Sequence, residues 1–473
     1  MFGLDGGIFF ILIICILAAC AFEFINGFHD TANAVATVIY TNSMKPTVAV
    51  IWSGICNFSG IFISGFYGLA VAMGIINLLP ISILVDQSAA HSISMILSLI
   101  ITAIIWNIGT WYLGIPCSSS HTLLGSIFGV GIAYGLLPDV GVIALNWGKV
   151  KDVGLSLLIS PLLGFGLTMG LVLLAKRFIK YKKLFTEPEK KKAPPFWIRF
   201  ILILTCTSVS FSHGSNDGQK GIGLLMIILI ALVPVHFALD HSRPPQKLLD
   251  QVNTIEAVVT KVDQKGLNAQ ARVSVEVIKE KVDSMQSILT GITDFKKLRK
   301  ESHFELRKDI LIISKESSKI LSQQLDEPVL NFTKEDKSSL QASVKAIKVY
   351  TEYAPWWVII MISLSLGIGT MVGWKRIVVT IGEKIGKEHL MYAQGASAEL
   401  VAASTIGVST LLGLPVSTTH VLSSGIAGSM VATKGLKNLR KKTVKNIAIA
   451  WLVTIPVTII LSGGLFLLIR LFL

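Results

Sequence analysis

The long apolar runs constrain this chain more than any other feature. No lysine or arginine lies between Lys45 and Lys149, and two aspartates are the only acidic residues in that stretch. A helix needs about 20 consecutive apolar residues to cross the hydrocarbon core of a bilayer. Runs of this length recur along a sequence that is 52% hydrophobic and only 15% charged. The sequence therefore predicts an all-α polytopic membrane protein rather than a soluble one.

About ten stretches are candidate membrane spans. The first and the sixth are too long for one simple crossing, so we expect each to contain a broken or re-entrant part. The leader before the first span has no basic residue, so we expect this span to be retained rather than cleaved as a signal peptide. The candidate spans are residues 8–40, 48–72, 92–113, 118–137, 153–175, 196–236, 354–374, 395–412, 417–433 and 446–471.

A segment in the second half has a different composition. Residues 241–350 are rich in Lys, Glu, Asp, Gln and Ser, and their apolar residues recur at helical spacing. We predict that this segment is a soluble helical insert without a recognisable catalytic or binding motif. The predicted domains are a first membrane repeat (1–175), a basic cytoplasmic linker (176–195), the start of a second membrane repeat (196–240), the insert (241–350) and the remainder of the second repeat (351–473).

The formal net charge of +14 comes largely from basic residues in short loops beside apolar spans. Such loops set topology and meet anionic lipid headgroups more often than they bind DNA, so lipid rather than nucleic acid is the expected partner. The positive-inside rule places the basic clusters at 176–195 and 434–445 in the cytoplasm. This requires residues 8–40 and 196–236 to make one net crossing each. Both termini and the insert then lie outside, in the periplasm or extracellular space.

Two sequence elements occur twice. Residues 24–30 (FINGFHD) and 211–217 (FSHGSND) share the pattern F-x-x-G-x-x-D, which is a weak match by itself. Residues 113–121 (LGIPCSSSH) match residues 412–420 (LGLPVSTTH) more strongly. The two halves keep the same register once the insert is removed. With about five net crossings each, they would form two inverted repeats, as in many secondary transporters.

The repeated Pro-Ser/Thr element is expected to begin a helix inside the membrane. Proline suits the first turn of a helix, and hydroxyl side chains cap its free N–H groups. Such a helix start also offers free donors and a positive dipole end to an anion. Simple capping of two re-entrant turns is the alternative, but the repetition in register favours a site for a tetrahedral oxyanion. The candidate ligands are Ser118, Ser119, Ser120, Thr122, Ser417, Thr418 and Thr419.

Asp30 and Asp217 are carboxylates within predicted spans, where an unpaired charge is costly and a functional role is the default interpretation. With the neighbouring Asn33 and Asn216, each is predicted to hold a sodium ion or a proton, and both aspartates are candidate metal ligands. The alternatives are a helix cap or, for Asp217, an ion pair with Lys220 three residues later. Lys220 is also a candidate phosphate ligand.

Glu399 lies in an otherwise apolar span. It is a candidate proton-coupling or substrate-coupling group, with a buried structural carboxyl as the alternative. Four histidines stand beside the repeated motifs. We expect them to be hydrogen-bonding residues rather than proton shuttles, although imidazole changes charge near neutral pH. They are His29, His121, His213 and His420.

Together these motifs resemble the inorganic phosphate transporter (PiT) family, particularly its bacterial low-affinity members. The resemblance is carried by residues 27–36 (GFHDTANAVA), residues 211–221 (FSHGSNDGQKG) and the two Pro-Ser/Thr elements. It implies uptake of inorganic phosphate across the inner (plasma) membrane, driven by H⁺ or Na⁺, without a cofactor. It also implies an assembly of identical chains.

The resemblance assigns roles to individual residues. Asp30, Asn33, Asp217 and Gln219 fall where family members place cation and phosphate ligands. Glu399 falls at an acidic position that many relatives use.

One residue departs from the family pattern. His29 precedes Asp30 where many relatives have asparagine, whereas the second repeat keeps Asn216. This difference argues against a symmetric pair of sodium sites. It favours proton symport, of phosphate or of a metal–phosphate complex as in similar bacterial proteins, and it adds His29 to the coupling candidates.

Three other functions fit part of the sequence. A permease for another tetrahedral oxyanion, such as sulfate, could use the same helix starts and hydroxyls. A membrane phosphatase using a His and an Asp is disfavoured, because no metal-ligand cluster is evident in the sequence and the polar residues follow the repeat. A receptor built around the insert is disfavoured by the paired intramembrane motifs. Without a P-loop or kinase-like motif, the sequence indicates a secondary transporter and not an ATP-driven one.

Overall fold

The computed structural model describes residues 4–79, 89–138, 145–189, 192–262, 269–321 and 333–472. Within these ranges, only the backbone is described at residues 31–33, 89 and 90. The described residues are mostly helical and divide into two compact units. The larger unit is formed by the described parts of Phe10–Pro80, Gln87–Ile228 and Ala354–Leu473. The smaller unit is formed by the described parts of Met1–Phe9 and Leu229–Tyr353.

The helices are numbered in chain order. They are α1 (Gly6–Tyr40), α2 (Pro46–Tyr67), α3 (Ala70–Ile76), α4 (Ala89–Tyr112), α5 (Ser119–Gly135), α6 (Trp147–Phe178), α7 (Phe196–Leu232), α8 (Pro234–Phe237), α9 (Pro245–Thr260), α10 (Ala269–Leu289), α11 (Lys300–Leu321), α12 (Lys334–Lys348), α13 (Trp356–Thr370), α14 (Lys375–Val379), α15 (Tyr392–Leu411), α16 (Thr418–Lys434) and α17 (Lys441–Ile469).

Six of the described helices, α1, α2, α4, α6, α7 and α17, are long and apolar enough to cross a membrane. A seventh crossing is possible if α13 and the following helical segment up to Lys384, which are bent by 55°, form one span. These helices support a multi-pass membrane protein. The predicted spans 118–137, 354–374, 395–412 and 417–433 coincide with α5, α13, α15 and α16, each too short or too polar to meet the same criterion alone.

The predicted break in the first span is wrong, and in the sixth span a break occurs only near its end, where Val233 separates α7 from α8. α1 runs over 35 residues and α7 over 37 without interruption. At 1.5 Å per residue each is about 50 Å long, which exceeds the thickness of the hydrocarbon core. Their polar side chains are buried inside the larger unit. The helix backbone nevertheless continues through both motifs, with the polar side chains facing the interior of the unit.

Breaks occur instead before the two Pro-Ser/Thr elements, and they have the same local structure. Gly114 and Gly413 follow α4 and α15 with φ of 65° and 68°. The N–H of Ile115 bonds the carbonyl of Thr110 (3.0 Å), and the N–H of Leu414 bonds that of Ser409 (2.9 Å). A left-handed glycine followed by such a bond is a common way to end a helix.

Each Pro-Ser/Thr helix packs against the last long helix of the other half. α5 packs on α17, and α16 packs on α6. The indole N–H of Trp451 on α17 donates to the carbonyl of Pro116 (3.1 Å), and Ser156 on α6 donates to that of Pro415 (3.0 Å). The two halves therefore interlock, each fixing the helix start of the other.

Glycines bring these helix pairs close together. A Cβ atom at Gly129 of α5 would lie 2.3 Å from the carbonyl oxygen of Ile459, and one at Gly428 of α16 would lie 2.3 Å from that of Phe165. The backbone atoms cannot yield as a flexible side chain could. A larger residue at either position must separate the helices.

The smaller unit is built from amphipathic helices, α9 to α12, around a core of its own that includes Leu248, Ile278 and Ile310. Arg307 is fully buried in this unit and donates to the carbonyls of Ala238 (2.9 Å) and Thr351 (3.0 Å). Burial lowers the pKa of its guanidinium to about 10. The interpretation of residues 241–350 as a soluble insert stays a prediction.

We expect Gly428→Ala to destabilise the larger unit, since its methyl group would overlap the carbonyl oxygen of Phe165. Overpacking of this kind costs about 1–3 kcal/mol. Gly166→Ala on α6 is the matched control, because no atom lies within 4 Å of a Cβ there. Thermal unfolding in detergent should show a lower Tm for Gly428→Ala and an unchanged or higher one for Gly166→Ala. Equal Tm values would contradict the described contact.

Candidate functional site

The carboxylate of Asp30 joins the two Pro-Ser/Thr elements. Ser119 of α5 donates to Oδ2 of Asp30 at 3.0 Å, and Thr419 of α16 donates to Oδ1 at 2.5 Å. All three side chains are buried. Residues from both sequence motifs and both halves of the chain thus meet at one acid.

His213 links Asp30 to Asp217. Its Nε2 atom lies 3.9 Å from Oδ2 of Asp30 and 3.7 Å from Oδ2 of Asp217. Its Nδ1 atom lies 2.8 Å from Oδ1 of Asn57, an amide oxygen that can only accept. Nδ1 therefore donates to Asn57, and Nε2 is the ring atom that faces the two acids. On the other side of Asp30, Nδ1 of His29 lies 3.5 Å from Oδ1.

Asp217 has an internal cation beside it. Nζ of Lys220 lies 2.8 Å from Oδ1 of Asp217, and both side chains are buried. The same ammonium donates to the carbonyl of Val416 at 3.1 Å and to the hydroxyl of Ser120. The ion pair that the sequence left as an alternative is therefore present. Through it, α7 contacts both Pro-Ser/Thr elements.

The capping interpretation holds for the first hydroxyl of each element. Ser118 accepts from the backbone N–H of His121, and Ser417 accepts from that of His420, each at 3.2 Å. The rings of these two histidines lie against each other, with centroids 4.4 Å apart. The two helix starts therefore face each other at close range.

The remaining hydroxyls have different partners. Ser120 donates to the carbonyl of Val416 at 3.0 Å, and Thr122 donates to that of Ser118 at 3.0 Å, within its own helix. The hydroxyl of Thr418 is buried and has no hydrogen-bond partner in the described part of the chain. Among the predicted phosphate ligands, Thr418 thus has an uncommitted group, whereas Thr122 serves the local backbone.

Two amide side chains that the sequence predicts to be ligands form hydrogen bonds with backbone groups in this structure. Asn216 donates to the carbonyl of Leu414 at 3.2 Å and accepts from the N–H of Val416 at 3.3 Å. Gln219 accepts from the N–H of Val71, at the start of α3, at 3.0 Å. Asn216 therefore fixes the loop before α16, and Gln219 caps a short helix. Direct ion or phosphate binding by either residue stays a prediction.

Glu399 lies on α15, away from the start of α16. It is fully buried, and Thr205 on α7 donates to its Oε2 at 2.5 Å. The structure does not place it in the group around Asp30. The side chain of Asn33 lies outside the described residues.

A metal-ligand group forms where the sequence shows none. Asp30, His213 and Asp217 each offer one ligand atom, and these atoms lie within 4.8 Å of one another. Because the residues come from α1 and α7, their spacing along the chain does not reveal the group. The two carboxylates are the predicted metal ligands, and His213 is an addition from the structure.

Glu23 is a further buried acid in this region that the repeated motifs do not mark. It lies on α1 and accepts from Nδ2 of Asn26 at 3.2 Å. The sequence could have marked Glu23 by its position in the first apolar span, because burying a carboxyl in a membrane span is energetically costly.

A family model described as "Phosphate transporter family" matches residues 26–462. The chain belongs to this family. It is 38% identical to the low-affinity inorganic phosphate transporter PitA of Escherichia coli strain K12, over 98% of this chain and 97% of that protein. It is 40% identical to the low-affinity inorganic phosphate transporter of Buchnera aphidicola subsp. Acyrthosiphon pisum, over 94% of each.

A solved structure described as "The sodium-dependent phosphate transporter" is similar in fold. Its TM-score is 0.54 at 20% identity, and the match covers 98% of this chain and 100% of that one. The family resemblance inferred from the motifs is confirmed. Because the relatives of this family are named transporters, the chain is a transporter and not an enzyme, and neither the sulfate permease nor the phosphatase is favoured.

We expect Lys220→Met to lower the Tm of the purified protein strongly. Removing one partner of a buried ion pair leaves an uncompensated charge, which costs about 3–5 kcal/mol. Adding Asp217→Asn removes that charge, so the double variant should recover part of the loss. Thermal unfolding of the single and double variants checks this. A double variant no more stable than Lys220→Met would contradict the pairing.

Proposed function

We propose that this chain is a secondary active transporter that imports inorganic phosphate across the inner (plasma) membrane by cation symport. The observation that carries the proposal is the shared carboxylate, with Ser119 and Thr419 from opposite halves both donating to Asp30. The named function of the family members supports phosphate as the substrate.

The architecture proposed is a pair of inverted repeats with the substrate between them. Three features support it: the same glycine-terminated break before each Pro-Ser/Thr element, the same N-cap at Ser118 and Ser417, and the reciprocal packing of α5 on α17 and α16 on α6. In this arrangement the basic clusters face the cytoplasm and residues 241–350 lie in the periplasm or extracellular space. We also propose that identical chains assemble into an oligomer.

Phosphate is proposed to bind at the facing starts of α5 and α16. The first amides of a helix have no acceptor within the helix, and the dipole there favours an anion. The uncommitted hydroxyl of Thr418 and the ammonium of Lys220 add a donor and a positive charge. The two helix starts would then surround one tetrahedral anion.

Coupling follows from competition for the same donors. An ionised Asp30 holds the hydroxyls of Ser119 and Thr419, and it repels an incoming anion. A cation or proton on Asp30 removes this charge and releases both hydroxyls for phosphate. Phosphate and the coupling ion therefore favour each other's binding at adjacent positions.

We propose the proton as the coupling ion. Lys220 already neutralises Asp217, so no second cation is required there. Asp30 is flanked by imidazole nitrogens of His29 and His213, whereas hard cations prefer oxygen ligands. Glu399, hydrogen-bonded by Thr205 in an apolar setting, is proposed as a further group that couples ion movement to transport.

The group formed by Asp30, His213 and Asp217 also supports entry of a divalent metal together with phosphate. Its mixed nitrogen and oxygen donors suit a divalent cation. The charge of the metal would neutralise the acids as a proton does. We therefore propose a metal–phosphate complex as a second form of the substrate.

The test is uptake of labelled phosphate into proteoliposomes, with a proton gradient and a sodium gradient imposed in separate experiments. We expect accumulation with an inward proton gradient alone and none with a sodium gradient alone. Excess sulfate should leave the uptake unchanged. Accumulation driven only by sodium would refute the proton assignment, and efficient competition by sulfate would refute the phosphate assignment.

A further inference from the structure

Glu23 lies on the same side of α1 as Asp30. The two residues are seven positions apart, which is two helical turns or about 10 Å along the axis. Its side chain is fully buried, with 0% exposure. The symport scheme above makes no use of this acid.

The Glu23 carboxyl has few donors. Nδ2 of Asn26 donates to Oε2, but Oε1 has no hydrogen-bond partner among the described residues, and neither has the amide oxygen of Asn26. Two buried acceptor oxygens from positions three residues apart on α1 thus have no donor among the described residues. A buried acceptor without a donor is unfavourable, and an ionised carboxyl in that position is much more so.

Gly221 on α7 makes room for this carboxyl. A Cβ atom at Gly221 would lie 2.3 Å from Cγ of Glu23 and 2.4 Å from Oε1. The backbone of α7 therefore covers Oε1 directly. A sodium ion needs a shell of oxygen ligands and has no room on that side, whereas a proton needs none.

The charged groups around Glu23 are mixed in sign. Asp217 and Lys220 on α7 and Asp30 on α1 act on it electrostatically, and Cys20 is the other ionisable side chain nearby on α1. α13 packs against the same part of α1 at Gly27 and carries no ionisable side chain. Lys220 is paired with Asp217 at 2.8 Å and is not available as a partner for a second carboxylate. The neutral acid is the form that this environment accommodates.

We propose that Glu23 is a second proton-carrying carboxyl of the transport cycle, separate from the group around Asp30. The proposal rests on the proton symport proposed above. In the conformation described, the carboxylic acid holds its proton under the backbone of α7. When α7 withdraws from α1, water reaches Oε1, the O–H bond breaks, and the proton passes to water, leaving a carboxylate. Reprotonation from the opposite side completes the movement of one positive charge.

Glu23→Gln tests the proposal, because glutamine has nearly the same shape and is permanently neutral. We expect phosphate uptake driven by a proton gradient to fall by at least an order of magnitude. Exchange of labelled for unlabelled phosphate across the liposome membrane should persist, since exchange needs only the neutral form to move. Gly221→Ala should have the same effect in weaker form by displacing the carboxyl, with Gly166→Ala as the matched control.

Each outcome is decisive. Normal proton-driven uptake by Glu23→Gln overturns the proposal, and so does equal loss of uptake and exchange, which indicates a purely structural residue. A wild-type protein that accumulates phosphate with sodium and not with protons refutes the proton symport itself, whatever Glu23→Gln does. The wild-type arm and the variant arm therefore separate the two failures.

Discussion

The structure of the larger unit centres on one interaction, the carboxylate of Asp30 held by hydroxyls of Ser119 and Thr419. A buried carboxylate is tolerated only where donors or cations compensate it, so the donors must be held firmly in place. The glycine-terminated breaks and the caps at Ser118 and Ser417 aim the two helix starts at this acid. The packing of α5 on α17 and of α16 on α6 holds these elements from opposite halves together.

The long helices and the interlocked halves follow from the same requirement. α1 and α7 bring Asp30, His213 and Asp217 together in the conformation described. Trp451 and Ser156 hold the carbonyls that precede the two helix starts, each from the other half. A movement of one half against the other must therefore change the hydroxyl geometry around Asp30. That link joins ion binding to conformation in the proposed cycle.

Several features could be predicted from the sequence because they are local. The apolar runs indicate spans, and the repeated Pro-Ser/Thr element indicates two equivalent helix starts. Tertiary partners could not be predicted in this way. The match of residues 24–30 with 211–217 does not show that α1 and α7 continue through these motifs. Whether each helix continues depends on how the folded protein buries the polar side chains. Nor does it show that Gln219 caps α3 or that His213 joins the two acids, because those partners lie far away in the sequence.

The most direct test of the account is the number of protons taken up with each phosphate bound by the purified protein. Titration calorimetry at one pH, in buffers of different ionisation enthalpy, gives this number. The account predicts about one proton fewer for Asp30→Asn than for the wild type, because asparagine is already neutral and takes up no proton when phosphate binds. Asp152→Asn, at an exposed position on α6, should match the wild type. Equal proton uptake by Asp30→Asn and the wild type would contradict the account.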